Sequence, residues 1–397
     1  MKQMHKQKIV IVGGGFGGIK AALKLARRSD IDLTLICPNE DFRYYPTLFK
    51  IVTGASRSAA SIPLKEIFKG KDLNIIKSSV ISIDRKNKTL VTENNLSVIY
   101  DKVIFAIGAI TNYFNIEGME KYSFNIKTQD GAEKLKDHIH SQLLKTKAPD
   151  LNYVIVGGGP TGVELAGSLN EYLKYVLKCH SIENTKYHID VVEAKPYLMP
   201  RMSKDVGNKI AKRLKNLGIK VYTNALVQGE TADELTINNK PVRTHTVVWT
   251  AGIANNPFFK DNGFVLMKNG LVAVDVYLQS EPDIYVIGDN ANTPFSGMAQ
   301  TALRDASFVS KNIVRGIEGR NPVAYKPSRP VSVVPIGKNW AAVNWGKFNF
   351  YGFLGLALRQ VADLRGFSEI EPLDKATKQL LSEYTTNESC EVCAINQ

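Results

Sequence analysis

The sequence contains the same glycine-rich pattern twice, each time between a short apolar run and a predicted helix. The first copy, residues 13–18, follows the apolar residues 9–12, and the second copy, residues 157–162, follows residues 153–156. Both copies have the spacing G-x-G-x-x-G, and a second apolar strand follows each predicted helix. This strand–loop–helix–strand context is typical of a unit that binds a dinucleotide. The chain is therefore predicted to contain two such units in an α/β fold.

Each glycine of the pattern has its own physical role. The first two allow a tight turn and let the backbone approach the pyrophosphate closely, and the third lets the helix pack against the strand. The N-terminus of the helix then faces the phosphate charge. The glycines expected to hold the two dinucleotides are Gly13, Gly15, Gly18, Gly157, Gly159 and Gly162.

The ends of the second strands predict different ribose contacts in the two units. The second unit ends in Glu193, a carboxylate placed to accept hydrogen bonds from a ribose 2′-hydroxyl, which favours NADH over NADPH. Lys195, two residues later, partly offsets that preference. In the first unit the equivalent position is Cys37, which is expected to be a small buried side chain. Asn39 or Glu40 is then the expected ribose partner.

The composition excludes several other classes of protein. The chain has 397 residues, 44% of them hydrophobic and 22% charged, which is enough for two or three domains with their own cores. Four cysteines in so long a chain do not form a disulfide scaffold, so a reducing compartment is expected. The net charge is +13, but the basic residues are spread along the chain without a nucleic-acid-binding motif, so no nucleic-acid partner is expected.

Hydropathy predicts neither a signal peptide nor a spanning helix. The apolar run at residues 9–12 is shorter than the roughly 7–15 apolar residues of a signal peptide. No window approaches the roughly 18 uninterrupted apolar residues of a helix that crosses a bilayer. The protein is therefore expected in the cytoplasm or on a membrane face.

With these motifs the chain resembles the flavoprotein pyridine-nucleotide oxidoreductases, and most closely the type II NADH dehydrogenases, which are single-chain NADH:quinone oxidoreductases. Residues 11–18, 45–54 and 154–167 carry the resemblance, which covers about residues 8–330. It implies that the first unit binds FAD and that the second, inserted unit binds NADH as a substrate. It also implies a respiratory-chain enzyme that does not pump protons.

Three apolar strands in the expected order support the same resemblance. Residues 104–109 correspond to the return of the chain to the FAD unit, and residues 247–252 to the strand that leaves the NADH unit. Residues 284–289 match the family's late strand, where an aspartate holds the ribityl chain of the flavin. The further cofactor-binding residues that the resemblance implies are Phe16, Gly17, Pro46, Thr47, Ala106, Gly108, Pro160, Thr161, Ala251, Gly252, Gly288, Asp289 and Ala299.

Glu164 is the first candidate catalytic residue. It follows Gly162 by two positions, in the predicted first turn of the second helix, where a carboxylate also gains from the positive end of the helix dipole. Simple dipole compensation is therefore one interpretation. In similar enzymes the corresponding glutamate lies near the flavin and nicotinamide rings, so we favour a role in hydride or proton handling.

Gln300 and Arg304 are the candidate residues for the electron acceptor. Residues 299–304 match the family's quinone-site pattern Ala-Gln-x-x-x-Gln in the first two positions, whereas Arg304 replaces the last glutamine. Helical spacing places Gln300 and Arg304 on one face. An arginine can donate to a quinone carbonyl, but it also suits an anionic acceptor. Pairing with Asp305 or with solvent is the alternative.

The segment 345–366 is a candidate membrane surface. It is rich in aromatic and aliphatic residues, with Lys347, Arg359 and Arg365 between or beside them. Such a composition suits the membrane interface, and the positive net charge favours anionic lipid. A helix packed on the core or on a dimer partner is the alternative, and Gly352 and Gly355 weaken the helix prediction.

The pair Cys390 and Cys393 forms a C-x-x-C motif near the C-terminus. Such pairs can be redox-active or bind a metal. This one lies in a polar tail without a second pair, and neither glycine loop is followed by the flavin-proximal cysteine pair of the disulfide reductases. We therefore interpret it as incidental and expect no metal site.

The predicted fold class is α/β, with two Rossmann-like dinucleotide-binding domains, the second inserted in the first, and a C-terminal region. Residues 1–118 and 255–319 are assigned to FAD binding, 119–254 to NADH binding, and 320–397 to membrane association or dimerisation. The leading hypothesis is an FAD-dependent NADH:quinone oxidoreductase, expected as a homodimer at the cytoplasmic face of the cell membrane. A soluble NAD(P)H-dependent flavoprotein reductase with a protein, disulfide or other non-quinone acceptor is the alternative. A third possibility is a flavoprotein that senses redox state through dimerisation.

Overall fold

The computed structural model describes residues 6–144, 151–182, 185–382, 390 and 392–393. The N-terminal residues 1–5, the polar tail of residues 383–389 and Glu391 lie outside the described residues. The helices are α1 (Phe16–Leu25), α2 (Leu48–Val52), α3 (Leu64–Ile67), α4 (Met119–Tyr122), α5 (Gln129–Leu144), α6 (Pro160–Cys179), α7 (Lys204–Asn216), α8 (Pro257–Asp261), α9 (Ala299–Ile317), α10 (Gly352–Ser368) and α11 (Leu373–Ser382).

Short 3-10 turns occupy Tyr45–Thr47, Arg57–Ala60 and Gly288–Asn290. The strands are β1 (Gln7–Val12), β2 (Ile31–Cys37), β3 (Asp41–Arg43), β4 (Ser61–Pro63), β5 (Asn74–Lys77), β6 (Val80–Asp84), β7 (Thr89–Thr92), β8 (Ser97–Ile99), β9 (Lys102–Phe105), β10 (Ile110–Thr111), β11 (Asn152–Val156), β12 (His188–Glu193), β13 (Lys220–Thr223), β14 (Val227–Glu230), β15 (Glu234–Ile237), β16 (Lys240–Arg243), β17 (Thr246–Trp249), β18 (Ile253–Ala254), β19 (Gln279–Glu281), β20 (Ile284–Val286), β21 (Ser332–Pro335), β22 (Ala341–Trp345) and β23 (Phe348–Tyr351).

The first glycine loop leaves the central strand of a six-stranded sheet. The strand order is β19-β20-β9-β1-β2-β5, and only the edge strand β19 runs antiparallel to its neighbour. Ile9, Val10 and Ile11 in β1 are at most 1% exposed, as expected for a parallel strand covered on both faces. Helix α1, which follows the loop, packs against α9.

The second glycine loop leaves the equivalent position of a second parallel sheet. Its order is β13-β12-β11-β17, and Val154 and Ile155 in β11 are fully buried. The prediction of two Rossmann-like units in an α/β fold is therefore confirmed. The chain passes from the first sheet to the second and returns along two neighbouring segments. The outgoing segment contains β10 and the returning segment contains β18, and these two strands pair antiparallel.

Both helices after the glycine loops begin earlier than the hydrophobic pattern predicts. The sequence predicts starts at Ile19 and Val163, whereas the helices begin at Phe16 and Pro160, each directly after the middle glycine of its loop. Proline is favoured at the first helical position because its missing N–H is not needed there. Each glycine loop therefore places the N-terminus of its helix directly at the predicted phosphate position.

The C-terminal region adds an antiparallel sheet, β21-β22-β23, and the helices α10 and α11. Helix α10 continues through Gly355, where a Cβ atom would lie 2.2 Å from the carbonyl oxygen of Ala341 in β22. The glycine that weakens the helix prediction is thus the residue that lets α10 approach the sheet. Within the described residues, no helix is long and apolar enough to cross a membrane.

Candidate active site

Both glycine loops open into one cleft of about 1030 Å³. The ends of β1, β9, β17 and β20 also reach it, through Val12, Ala106, Thr250 and Ile287. Open α/β sheets bind their ligands at the carboxyl ends of their strands, so the position of the cleft is that of a cofactor site.

Most of the residues predicted from the sequence line this cleft. The predicted catalytic residues Glu164 and Gln300 are among them. The predicted cofactor-binding residues in the lining are Gly13, Gly15, Phe16, Gly17, Asn39, Pro46, Ala106, Gly108, Gly159, Pro160, Thr161, Ala251, Gly252, Gly288, Asp289 and Ala299.

The outer glycines of the two loops have nearly the same geometry. Gly13 has φ +114° and Gly157 has φ +117°, a conformation that residues with a Cβ rarely adopt. A Cβ on Gly18 would lie 1.8 Å from the carbonyl oxygen of Gly13, and one on Gly162 would lie 2.0 Å from that of Gly157. Gly18, Gly157 and Gly162 therefore shape the loops from behind rather than line the cleft.

The middle glycines provide the space for a ligand. Apart from the glycine itself and its two chain neighbours, no described residue has an atom within 4 Å of a Cβ built on Gly15 or Gly159. Each of these glycines caps its helix without a side-chain hydrogen bond, so the first N–H groups of α1 and α6 keep their donor capacity. Two such helix ends fit the pyrophosphates of two dinucleotides.

Glu40 and Thr47 lie outside the cleft lining. The Glu40 carboxylate is exposed and accepts a hydrogen bond from Lys77 Nζ at 2.6 Å. Thr47 is fully buried, and its hydroxyl donates to the carbonyl oxygen of Ala59 at 2.8 Å. Of the two predicted ribose partners in the first unit, Asn39 is the one that lines the cleft.

Glu193 supports its own glycine loop. Its Oε2 accepts a hydrogen bond from the N–H of Gly158 at 2.7 Å, and its Oε1 accepts one from the N–H of Lys195 at 2.8 Å. The carboxylate is buried at the end of β12 and does not line the cleft. It is thus fixed beside the loop, in the position from which the acidic residue of this fold reaches a ribose.

Gln300 and Arg304 hold the chain that leads into the C-terminal region. The Gln300 amide donates to the carbonyl oxygen of Val331 at 2.8 Å and accepts from its N–H at 3.2 Å. Arg304 donates to the carbonyl oxygen of Ser328 at 2.8 Å and does not line the cleft. Both side chains therefore fasten residues 328–331 to α9, and the pairing of Arg304 with Asp305 is not what the structure shows.

Glu164 belongs to a buried cluster of charges at the cleft. Its Oε1 lies 3.4 Å from Nη1 of Arg359, whose Nε also donates to Asp363. Burial raises the pKa of Glu164 to about 8, although the Arg359 charge opposes the shift. Since α6 begins at Pro160, Glu164 lies beyond the first turn, where the helix dipole contributes little. Dipole compensation therefore does not explain this carboxylate.

Arg359 connects four segments of the chain, and the sequence analysis missed this role. Besides Glu164 and Asp363, its guanidinium donates to the carbonyl oxygens of Pro46 at 3.2 Å and Val333 at 3.3 Å. Burial alone lowers the pKa of Arg359, but the neighbouring acidic groups, the Asp363 carboxylate first, outweigh it and keep the group charged. The prediction that Arg359 belongs to an interfacial surface is therefore wrong, because a buried ion cluster holds it inside.

Two more residues, one behind the cleft lining and one in it, had no motif to reveal them. The fully buried Asn290 accepts from the N–H of Gly108 at 2.8 Å and donates to its carbonyl oxygen at 2.9 Å. Lys127 lines the cleft with a buried Nζ that has no hydrogen-bond partner within the described residues. Burial lowers the pKa of Lys127, and the charge of Asp289 opposes this shift. An ammonium group without a hydrogen-bond partner in the described residues, in the same cleft as the two glycine loops, fits a polar cofactor.

Comparisons with known proteins agree with this geometry. The chain is 28% identical over 380 residues to the type II NADH:quinone oxidoreductase Ndh of Mycobacterium tuberculosis, covering 88% of this chain and 82% of the relative. It is 24% identical over 399 residues to the type II NADH:quinone oxidoreductase of Staphylococcus haemolyticus, covering 94% and 98%. The resemblance predicted from the sequence is confirmed by these relatives.

Solved structures share the fold. The structure of NDH2 from Plasmodium falciparum in complex with NADH superposes with a TM-score of 0.85 at 20% identity, covering 96% of this chain and 97% of that one. The sulfide:quinone oxidoreductase of Aquifex aeolicus gives a TM-score of 0.76 at 19% identity, covering 98% of each chain. Residues 7–306 match the sequence profile of one family, and the chain therefore belongs to the pyridine nucleotide-disulphide oxidoreductases.

Proposed function

We propose that this chain is an FAD-dependent NADH dehydrogenase that delivers two electrons to a quinone. When bound, the flavin supplies the redox chemistry, by accepting a hydride from NADH and passing the electrons on. The observation that carries the proposal is that two dinucleotide loops open into one cleft. The relatives named type II NADH:quinone oxidoreductase support the same substrates.

The two units divide the binding work in this proposal. Residues 1–118 and 255–319 hold FAD, through the first loop and the residues after β9 and β20. Residues 119–254 hold NADH, through the second loop. The pairing of β10 with β18 supports these boundaries, because it joins the chain entering the second unit to the chain leaving it.

Glu164 supplies a proton to the acceptor. A quinone takes up two protons with two electrons when it becomes a quinol, so the site needs an acid at neutral pH. Burial holds the pKa of Glu164 near 8, so the carboxyl is mostly protonated there. Arg359 fixes the position of this carboxyl, and Asp363 keeps the guanidinium in place.

We call the part of the cleft next to residues 330–334 its acceptor end. Its lining favours a quinone over a disulfide as the electron acceptor. Apolar side chains line this end at Pro330, Val331, Val333, Val334 and Ala362, together with Pro46 and Leu303, and Ser332 is the polar residue among them. No cysteine lines the cleft within the described residues, so no thiol is placed to relay electrons onward. This observation weighs against the alternative of a soluble disulfide reductase.

A membrane contact through residues 345–366 would bring an apolar quinone to this end of the cleft. Phe348 is 70% exposed, Phe353 75% and Leu354 56%, in β23 and the first turn of α10. Lys347 and Arg365 are exposed in the same region. Apolar side chains beside basic ones suit the interface of an anionic bilayer. We place the enzyme at the cytoplasmic membrane face, as a homodimer.

The first experiment follows the flavin spectrum of the purified protein under anaerobic conditions. We expect a flavin band that bleaches on addition of NADH and recovers on addition of a short-chain quinone. Bleaching without recovery would reject the quinone and retain the NADH-oxidising flavoprotein. The absence of a flavin band after incubation with FAD would reject the whole proposal. Light scattering of the same sample in detergent measures whether it is a dimer.

The variant Glu193→Ala tests the division between the units. Loss of the carboxylate removes the acceptor for the N–H groups of Gly158 and Lys195 and the expected ribose contact. We expect a KM for NADH at least about tenfold higher, while the flavin content stays unchanged. Loss of flavin with normal NADH binding would show that the assignment of the units is reversed.

A further inference from the structure

Four side chains with metal-binding atoms meet outside the lining of the cleft. His140 lies on α5, His180 follows the last residue of α6, and Cys390 and Cys393 form the C-terminal C-x-x-C pair. Their four candidate ligand atoms all lie within 4.8 Å of one another. None of the four residues lines the cleft, so the proposed redox reaction does not account for them.

Three of the six distances between these atoms are close to the edge of a tetrahedral zinc site. Cys390 Sγ lies 3.3 Å from His180 Nε2, and Cys393 Sγ lies 3.5 Å from the same atom and 3.6 Å from His140 Nε2. Zinc bonds of about 2.3 Å to sulfur and about 2.0–2.1 Å to nitrogen place tetrahedral S and N ligands about 3.6 Å apart.

Thiol hydrogen bonds alone explain this arrangement poorly. His180 Nε2 lies 3.3 Å from Cys390 Sγ and 3.5 Å from Cys393 Sγ, whereas one imidazole nitrogen has only one proton to donate or one lone pair with which to accept. Both histidines direct Nε2 at the cluster, and Cys393 is fully buried. Four convergent soft and borderline donors, one on a buried residue and three on half-buried residues, are the arrangement that a tetrahedral metal ion requires.

We propose that His140, His180, Cys390 and Cys393 bind a structural Zn²⁺ ion. Two thiolates balance the charge of the ion, so the closed site is neutral and suits its burial. The site would fasten the C-terminal segment to α5 and α6 of the second Rossmann unit. A backbone contact strengthens this attachment, because Tyr175 on α6 donates its hydroxyl to the carbonyl oxygen of Cys393 at 2.7 Å.

The sequence could not reveal this site, because its two halves are more than 200 residues apart. The C-x-x-C pair had no second pair nearby, and His140 and His180 follow no zinc motif. Only the packing of α5 beside the end of α6 brings the imidazoles to the two thiols. The inference is independent of the proposed function, since the metal takes no part in electron transfer.

The metal content of the full-length protein, purified without a histidine tag and in the flavin-loaded form, tests the proposal. We expect about one zinc ion per chain by plasma mass spectrometry, and its loss in the double variant Cys390→Ser/Cys393→Ser. The control is His138→Ala, which removes a histidine two positions from His140 whose ring contacts Thr246 instead. This control is expected to keep its zinc.

Cobalt substitution keeps the proposal testable even where a variant folds poorly. Co²⁺ in a tetrahedral site with thiolate ligands gives ligand-field bands at longer wavelengths than flavin absorbs. We expect these bands in the wild-type chain and in His138→Ala, but not in the double cysteine variant. A wild-type chain that binds neither ion, a double variant that keeps its zinc, or a Cys390–Cys393 disulfide in anaerobically purified protein would overturn the proposal.

Discussion

Glu164 is the residue whose proposed chemistry depends most directly on its surroundings. Burial in the cleft raises the pKa of its carboxyl to about 8. If the protonated form serves the acceptor, turnover falls as the pH rises through about 8. We expect Glu164→Gln to lower quinone reduction at pH 7 by at least about tenfold and to abolish this decline with pH. Steady-state rates between pH 6 and 9.5 measure both effects.

The matched control is Glu120→Gln, a change at an exposed glutamate outside the cleft, which is expected to leave the rates and the pH profile unchanged. The anaerobic reduction of the flavin by NADH separates binding from acceptor chemistry, and it is expected to stay within about threefold in Glu164→Gln. An unchanged pH profile in Glu164→Gln would exclude Glu164 as the acid.

Glu230 carries a stability prediction. Its Oε2 is buried without a hydrogen-bond partner within the described residues, and burial raises the pKa of this carboxyl to about 8. The folded chain therefore binds more protons than the unfolded chain between about pH 4.5 and 8, so stability falls as the pH rises through this window. We expect Glu230→Gln to increase the free energy of unfolding by about 1–3 kcal/mol at pH 8.5 and to increase it by less at pH 5.

Urea unfolding at pH 5 and pH 8.5 measures this difference. The comparison variant is Glu234→Gln, which changes an exposed glutamate on the neighbouring strand β15 and is expected to shift the midpoint little at either pH. Equal effects of Glu230→Gln at both pH values would contradict the assignment of the pH dependence to this carboxyl.

Single residues were predictable where a local pattern fixes their role. The glycines of both loops were named from spacing alone, because a tight turn admits few other residues there. Arg359 was misjudged, because its partners are far away in the chain: Pro46, Glu164 and Val333. A charged residue in an apolar segment can be exposed or paired inside, and only the presence of Asp363 one turn later pointed to pairing.

At the scale of elements, the close packing of α10 on β22 gives a direct test. A Cβ on Gly355 would lie 2.2 Å from the carbonyl oxygen of Ala341, so Gly355→Ala must push the helix away from the sheet. We expect a loss of about 1–3 kcal/mol in the free energy of unfolding, measured by urea denaturation. Quinone reduction is expected to fall as well, because Arg359 lies one turn further along the same helix.

The matched control is Gly316→Ala near the end of α9, where no described atom lies within 4 Å of the added Cβ. There the substitution is expected to stabilise the chain by about 0.5–1 kcal/mol, through higher helix propensity. If both alanine variants behave alike, the proximity of α10 to β22 does not limit stability.

Helices and strands were predicted well where the hydrophobic period and the positions of the glycines indicate the same element. They were predicted less well where tertiary packing determines the element. The strand β11 lies within one residue of its predicted position, whereas β17 ends at Trp249, three residues before the end of the predicted segment 247–252. Helix α10 was uncertain, because Gly352 and Gly355 lower helix propensity. In the fold Gly352 begins the helix and Gly355 provides space, and neither property is visible in a propensity scale.

For the whole molecule, the net charge and the exposed apolar surface predict binding to lipid vesicles. With a net charge of +13, we expect the chain to sediment with anionic vesicles more than with zwitterionic ones, and less as the salt concentration rises. Phe353→Ser/Leu354→Ser is expected to weaken this binding by at least about tenfold, because two exposed apolar side chains lose their burial in lipid.

Val265→Ser provides the control for that variant, since it removes a side chain that is 71% exposed elsewhere on the molecule. Vesicle binding by this variant is expected to equal that of the wild type. Equal sedimentation with both lipid types, or no effect of the double variant, would leave a second copy of the chain as the partner of this surface.

The architecture of the whole chain was predictable because the glycine pattern of a dinucleotide-binding unit occurs twice in the sequence. The order of the two units followed from the glycine loops and from the three apolar strands between and after them. The convergence of distant segments was not predictable, since Cys393 meets His140 and His180 only through packing. The same applies to Lys127, which reaches the cleft from an unpatterned connection before α5.

The position of Arg359 on α10 has a consequence for how attachment and turnover can be separated. The outer side of this helix carries the exposed Phe353 and Leu354, while its inner side carries the guanidinium that binds Glu164 and the carbonyl of Pro46. If the proposal is right, a chain shortened before α10 would lose two exposed apolar side chains of the lipid contact and the guanidinium that holds Glu164 together. The proposed membrane contact and the proposed proton transfer thus share one helix, and only substitutions on a single side of that helix can alter one without the other.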